Sequence, residues 1–334
     1  MINRREILKV GAGAAAAGLG MAGAVGTAAA QSKMVMKAAD VHPLGYPTVE
    51  AVQQIGKKLE AATNGRLSVQ MYPAMQLGGE KEMIEQAQVG ALQFARISVG
   101  PVGTIVDDLN VFNLPFVFRS EAHMRKVIDG EIGKELLAKV STNARTNLIA
   151  LCWMDAGSRN IYTHKAIQKP EDLKGLKIRM MGNPIFVDTM NAMGGNGISM
   201  GFDQLYNAMQ TKVVDGAENN PPTFMVQNHY QVAKFFSMTE HLIIPEILVF
   251  SRRSWEQLSK DDQALVQKFA TEAQFEERKL WDEKVKEALG KMKEAGITLV
   301  TDIDKKAFQD SVKPVWDKYG AKYAELIKRI NAIT

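Results

Sequence analysis

Regular alternation between strand-like and helix-like stretches predicts an α/β protein built as two lobes. Three features carry that expectation. From residue 33 onward, segments with period-two apolar alternation are separated by segments whose apolar residues recur at helical spacing. Residues 31–334 are enough chain for two cores rather than one. A strand-like run at 246–251 returns long after the first set, and residues 260–294 then contain no proline and only Gly290 among glycines. That stretch calls for one long helix or two abutting helices. As a single helix it would be on the order of 50 Å long at about 1.5 Å per residue, and could lie across both lobes.

Taken in order, residues 1–30 stand outside the fold. Asn3-Arg4-Arg5-Glu6-Ile7-Leu8-Lys9 precedes an uncharged Gly/Ala-rich stretch that closes on Ala28-Ala29-Ala30. This reads as an export signal of twin-arginine type, removed before Gln31. The stretch could span a bilayer, but its Ala and Gly content favours a signal over an anchor. No cysteine lies near the cleavage point, and Cys152, the only one, cannot form an internal disulfide. Gly11-Ala12-Gly13-Ala14-Ala15-Ala16 fits a dinucleotide fingerprint only formally, because no strand precedes it.

The formal charge of the chain is +4, and Arg4, Arg5 and Lys9 against Glu6 account for +2 of it, which leaves +2 for residues 31–334. Lys and Arg are dispersed, so neither nucleic acid nor an anionic membrane surface is an expected partner. The 18 methionines are expected mostly as gap-filling core residues.

The fold proper opens with a strand at 33–39, a helix on which Val52, Ile55, Leu59 and Ala62 share a face, and a strand in which Leu67, Val69 and Met71 alternate. A helix over 80–88, a strand over 92–97, a helix over 120–140 and a strand over 147–153 continue the pattern. Ser259 before Lys260-Asp261-Asp262 is an N-cap signal for the long helix. Nothing resembles a linker, so two lobes must be joined by crossover segments, and residues 155–159 and 239–245 are the hinge candidates. One lobe is then expected from 31–155 with about 246–285, the other from about 156–245 with 286–334.

Two short strands end in polar tips. Gly175 supplies a turn, Leu176 and Ile178 alternate with Lys177 and Arg179, and Gly182-Asn183-Pro184 follows. Arg179 therefore sits where a strand hands over to a helix, and its planar fork of donors suits a carboxylate. The second strand, through Val214-Asp215-Gly216-Ala217-Glu218, ends at Asn219-Asn220-Pro221-Pro222. Crevices beyond strand ends of open α/β sheets hold small ligands.

Gly175-Leu176-Lys177-Ile178-Arg179, Phe202-Asp203-Gln204-Leu205-Tyr206 with Ala208-Met209-Gln210-Thr211, Val214-Asp215-Gly216-Ala217-Glu218-Asn219 and the early Tyr72-Pro73-Ala74-Met75-Gln76-Leu77-Gly78-Gly79-Glu80 together resemble the substrate-binding proteins of TRAP transporters. The resemblance implies a type II periplasmic binding fold, with two α/β lobes, a hinge and a long bridging helix. It implies capture of a small organic acid in the periplasm and delivery to integral-membrane TRAP permease subunits, one small and one large, driven by an ion gradient. It assigns the carboxylate clamp to Arg179, a second arginine to Arg159 in Gly157-Ser158-Arg159, and a further contact to Asn219.

Each candidate has a structural alternative. Arg179 could be a lobe-bracing ion pair, and Arg159 could pair locally with Asp155. Asn220 before proline is also a good turn residue. His42 in His42-Pro43-Leu44-Gly45 is a solvated loop histidine or a hydroxyl contact. Glu80 offsets a helix dipole or accepts a ligand hydroxyl, and Arg96 ends a strand where it could line the site. Phe202 and Trp153 could wall the ligand or fill a core. Glu80 would repel a second ligand carboxylate and accept a hydroxyl, which favours a sugar acid, a hexuronate such as glucuronate or galacturonate. Arg96 as a second cationic pole would favour a C4-dicarboxylate instead. An exported enzyme acting on a carboxylic acid and a ligand-sensing module are the other classes. No histidine lies in a metal-ligand spacing and no Gly-x-Ser-x-Gly elbow occurs, so no catalytic set, metal or cofactor is expected.

Overall fold

The computed structural model describes residues 33–334, so the expected export signal with Arg4 and Arg5 lies outside the described residues. The strands are β1 (Met34–Ala39), β2 (Leu67–Tyr72), β3 (Phe94–Ser98), β4 (Leu148–Met154), β5 (Ser158–Thr163), β6 (Lys177–Met180), β7 (Asn196–Ser199), β8 (Gly216–Asn219), β9 (Phe235–Ile243), β10 (Glu246–Ser251) and β11 (Thr298–Val300). They form two sheets, in the orders β2-β1-β3-β10-β4 and β11-β9-β5-β8-β6-β7. In the first, β1 runs parallel to β2 and β3, and β10 is threaded antiparallel between β3 and β4. In the second, β5 is antiparallel to β8 and β9, while β6 is parallel to β7 and β8. Every residue of β3 and β10 is buried, as expected for strands covered by helices on both faces.

The chain crosses from the first sheet to the second between β4 and β5 and returns between β9 and β10. The first crossover, residues 155–157, lies within the stretch 155–159 expected as a hinge, whereas of the second expected stretch only residues 244–245 cross over, 239–243 belonging to β9. The third passage is the helix Lys260–Glu294, which is continuous rather than a pair, with the Ser259 hydroxyl accepting from the Asp262 N–H at 3.1 Å. Its first half buries Val266, Phe269, Ala270 and Ala273 against Phe94 and Phe250 of the first sheet. Near its end Met292 packs with Ala217 and Phe236 under the second sheet. Between them the fully buried Trp281 meets Tyr46 edge-on and abuts Gly157 in the first crossover. Gly157 has φ +60°, and a Cβ there would lie 2.9 Å from the Trp281 ring, so only glycine suits both the conformation and the space.

Two expectations need correction. The helix foreseen over 120–140 is two, Glu121–Asp129 and Glu131–Thr142, broken where Gly130 takes an extended conformation. Asp155 does not pair with Arg159: its carboxylate is held by Arg125 and, at 3.4 Å, by Arg278, while its N–H donates to Glu277 at 3.0 Å. The C-terminal helix Ala324–Ala332 buries Leu326 and Ile330, and it packs on helices that follow the first sheet, with Arg329 pairing Glu135 at 2.7 Å. No helix of the described residues is long and apolar enough to cross a membrane.

Candidate functional site

Four parallel strands, β1 and β3 in one sheet and β6 and β8 in the other, bring their C-terminal ends to one crevice. Its inner chamber, about 30 Å³, is lined by His42, Glu80, Arg96, Arg159, Arg179, Phe202, Asn219 and Asn220 from the expected set, together with Val41, Ser98, Met181 and Glu246. A wider trough of about 680 Å³ shares Glu80, Arg179, Met181 and Phe202 with it and forms its mouth. Trp153 is elsewhere. Its ring packs against Phe112 in the core and its Nε1–H donates to the Gly133 carbonyl at 3.1 Å, because the helix Glu131–Thr142 covers that side of β4.

The first-sheet wall is organised by Arg96. Its guanidinium donates to Asp40 at 2.7 Å, to Glu80 at 2.8 Å and to Glu246, so one buried cation serves three carboxylates. Antiparallel pairing of Ser98 with Glu246 puts the Ser98 hydroxyl between the carboxylates of Glu80 (2.9 Å) and Glu246 (3.1 Å). Burial alone would push the Asp40 carboxyl up, but Arg96 and His42 outweigh it and hold it well below the usual carboxylate range. Burial and the neighbouring Glu80 raise Glu246 against the pull of Arg96. His42 stacks on Tyr46 with ring centroids 3.7 Å apart, and burial together with Arg96 lowers its pKa, so the imidazole is neutral at pH 7. Its Nε2 lies 3.2 Å from the Thr223 hydroxyl, which also meets Tyr46 Oη at 2.9 Å. Arg96 is therefore not a free second pole, contrary to that reading of the sequence.

The second-sheet wall holds two arginines in different states. Arg159 is largely satisfied, with four of its five N–H donors engaged: its fork grips the buried Glu218 carboxylate, donates to the Glu218 carbonyl at 2.9 Å and reaches Asn219 Oδ1 at 3.0 Å. Asn220 caps the helix Pro221–Val226 through its Oδ1 and donates to the Ala156 carbonyl at 3.0 Å, so its polar atoms chiefly serve the fold. Arg179 makes one hydrogen bond, from Nε to the Met200 carbonyl at 2.9 Å, and its Nη1 is buried with no partner among the described residues. The Phe202 ring lies 5.5 Å from its guanidinium carbon. Burial drives the Arg179 pKa down, with Glu218 and Tyr162 opposing, which is the mark of a cation short of a counter-ion.

Sequence reasoning missed Val41, Ser98, Met181 and Glu246 in the lining, and Asp40, Tyr46, Glu218 and Thr223 behind it. The signal available was Asp40 at the end of β1 and Glu246 opening β10, acids placed on strand tips. Among the described residues no group of three or more His, Cys, Asp or Glu side chains could hold a metal ion.

Comparison with known proteins follows this geometry. The profile of the family described as bacterial extracellular solute-binding protein, family 7, matches residues 38–322. A TRAP periplasmic solute-binding protein of Pseudomonas putida F1, solved with bound D-glucuronate, is 54% identical over 90% of this chain and 98% of its own, with a TM-score of 0.88. One from Bradyrhizobium sp., in complex with α/β-D-galacturonate, is 43% identical over 89% of this chain and 99% of its own, at 0.85. Two solved structures of one from Citrobacter koseri are also similar. With D-glucuronate bound it is 48% identical over 90% of this chain and 100% of its own, at 0.88. Its apo, open structure gives 46% over 89% of this chain and 98% of its own, at 0.79. The arrangement of this chain is thus nearer the ligand-bound form than the open one.

Proposed function

We propose, on the premise that this chain belongs to family 7 of the bacterial extracellular solute-binding proteins, that it captures a hexuronate such as glucuronate or galacturonate in the periplasm and hands it to a TRAP-type membrane permease. The observation that carries the ligand class is the contrast between the two walls. Arg179 presents a buried, unbonded Nη1 suited to one carboxylate, and the facing wall presents Glu80 and Glu246 around an Arg96 already shared by three acids. A second ligand carboxylate would meet net negative charge there; hydroxyls would find acceptors in Glu80 and Glu246 and a mixed partner in neutral His42. Asn219 Nδ2, whose amide oxygen is engaged by Arg159, is a further donor for the ring.

Small-ligand pockets run to roughly 300–1,000 Å³, far above the inner chamber, so entry requires the walls to part and close again. The lobes that move are assigned as residues 33–155 with about 246–285, and about 156–245 with about 286–323, hinged at the two crossovers, while the C-terminal helix Ala324–Ala332 rides with the first lobe through Arg329 and Glu135. Closure strips water from the Arg179 contact, where a charge-assisted pair is stronger than at a surface. The test is calorimetry of D-glucuronate, D-galacturonate, an aldonate, succinate and malate. Tight binding of the hexuronates with none of succinate is expected, and tight succinate binding with no sugar acid bound would overturn the assignment.

A further inference from the structure

Closing a cleft also depends on contacts that the ligand does not make, and one set lies beside the chamber. β3 of the first sheet runs into the helix Val99–Gly103, and β6 of the second leads to the helix Pro184–Ala192. The two meet next to the trough, whose lining includes Pro101, Met181 and Gly182. Asn183, 3% exposed, caps the second helix with its Oδ1, which accepts from the Ile185 N–H at 3.0 Å. Its amide nitrogen is thereby turned the other way, and donates to the Gly100 carbonyl at 2.8 Å and to Asn110 Oδ1 at 2.9 Å. Asn110 is itself fixed by the Asn113 amide at 2.9 Å. One turn along, the fully buried Phe186 sits against Gly100 so closely that a Cβ there would lie 2.6 Å from its Cε2. Neither Asn183 nor Phe186 lines the chamber.

We propose that Asn183 and Phe186, docked on Gly100 and Asn110, form a closure latch that sets how long the ligand is retained without touching it. The inference rests on the hinge-closure reading above. Ligand enters the open form and is held by closing, so the apparent dissociation constant and the release rate both fall by the factor that the closing equilibrium supplies, and contacts present only in the closed form act on retention as directly as ligand contacts do. The latch combines a buried pair of hydrogen bonds with an aromatic ring seated on bare backbone. Both parts bridge elements anchored in different sheets.

Asn183→Asp tests the polar half, because aspartate keeps the capping oxygen while turning two donated bonds into repulsions against Gly100 O and Asn110 Oδ1. Gly100→Ala tests the apolar half by obstructing Phe186. Release of D-glucuronate, followed by stopped flow, should be about tenfold faster or more in each variant with association little changed, since interface changes act mainly on dissociation. Small-angle scattering at saturating ligand should show a larger radius of gyration than for the wild type. Unaltered release in both variants overturns the latch. If the wild type takes up no hexuronate the ligand assignment falls instead, and scattering of the ligand-free proteins then decides: a more open Asn183→Asp supports the latch, and profiles identical to the wild type refute it.

Discussion

Replacing Arg179 by methionine separates ligand capture from folding, because in this structure the guanidinium serves the fold poorly. It makes one hydrogen bond, to Met200 O, and leaves Nη1 buried without a partner. Methionine keeps most of the apolar stem against Phe202 and removes the charge. On the binding side, deleting one partner of a desolvated, bidentate charge pair costs roughly 2–5 kcal/mol. At about 1.4 kcal/mol per tenfold, that is a loss of about 30-fold to a few thousandfold in affinity for D-glucuronate. On the folding side, one hydrogen bond of about 1 kcal/mol is lost, and the desolvation of an unpaired cation is relieved. Ligand-free stability should therefore stay within about 1 kcal/mol of wild type or rise. Calorimetry and denaturant unfolding measure the two halves. Unchanged affinity refutes the clamp, and a ligand-free protein weakened by more than about 3 kcal/mol, the range of a broken buried pair, would make Arg179 a structural residue.

Three further outcomes follow from buried titratable groups and the N-terminus. Burial lowers the pKa of His241 to about 4, below its unfolded value near 6.5, so its contribution is complete above pH 6.5 and is lost as pH falls toward 4. At about 1.36 kcal/mol per unit that contribution is on the order of 3 kcal/mol, and His241→Gln should flatten the stability profile in that window, an unchanged profile refuting it. Glu277 is fully buried beside Asp155, and burial and that neighbour raise its pKa well above the carboxylate range. Its contribution is present below the unfolded value near 4.5 and is lost as pH rises toward the folded one, so Glu277→Gln should gain stability relative to wild type at pH 7 to 8 in urea unfolding; a large loss would contradict the upward shift. Protein recovered from the periplasm should begin near Gln31 by N-terminal sequencing, and Arg4-Arg5→Lys-Lys should slow its appearance there if the twin-arginine route is used.

What could be read from the chain was whatever local periodicity and short motifs encode. Strand tips, the long helix and the first crossover were legible, as were the eight lining residues that lie on tips or in turn-rich loops. What could not be read is pairing across distance. Arg96 looks like a spare cation until Glu246, 150 residues away, is placed beside it by the β3–β10 register. Trp153 sits near a strand end where a site-lining aromatic would be expected, and only the helix over β4 assigns it to the core. Arg159 and Arg179 look alike in sequence; the difference between a largely satisfied and a largely unsatisfied guanidinium comes from Glu218, which points to one of them.

The threading of β10 has a consequence for how the chain comes to be folded. β3 ends at Ser98 and β4 at Met154, yet neither pairs with the other; each pairs with a strand whose residues begin at Glu246. The first sheet thus stays divided until most of the polypeptide exists, and its completion waits on contacts of high sequence separation, which slow folding. A fragment ending after β4 would carry two bare strand edges of buried-type sequence, the kind that pair with neighbouring chains. Once β10 is in place, pulling it out opens both edges at once. Premature termination before Glu246 should therefore yield aggregate rather than a small folded lobe.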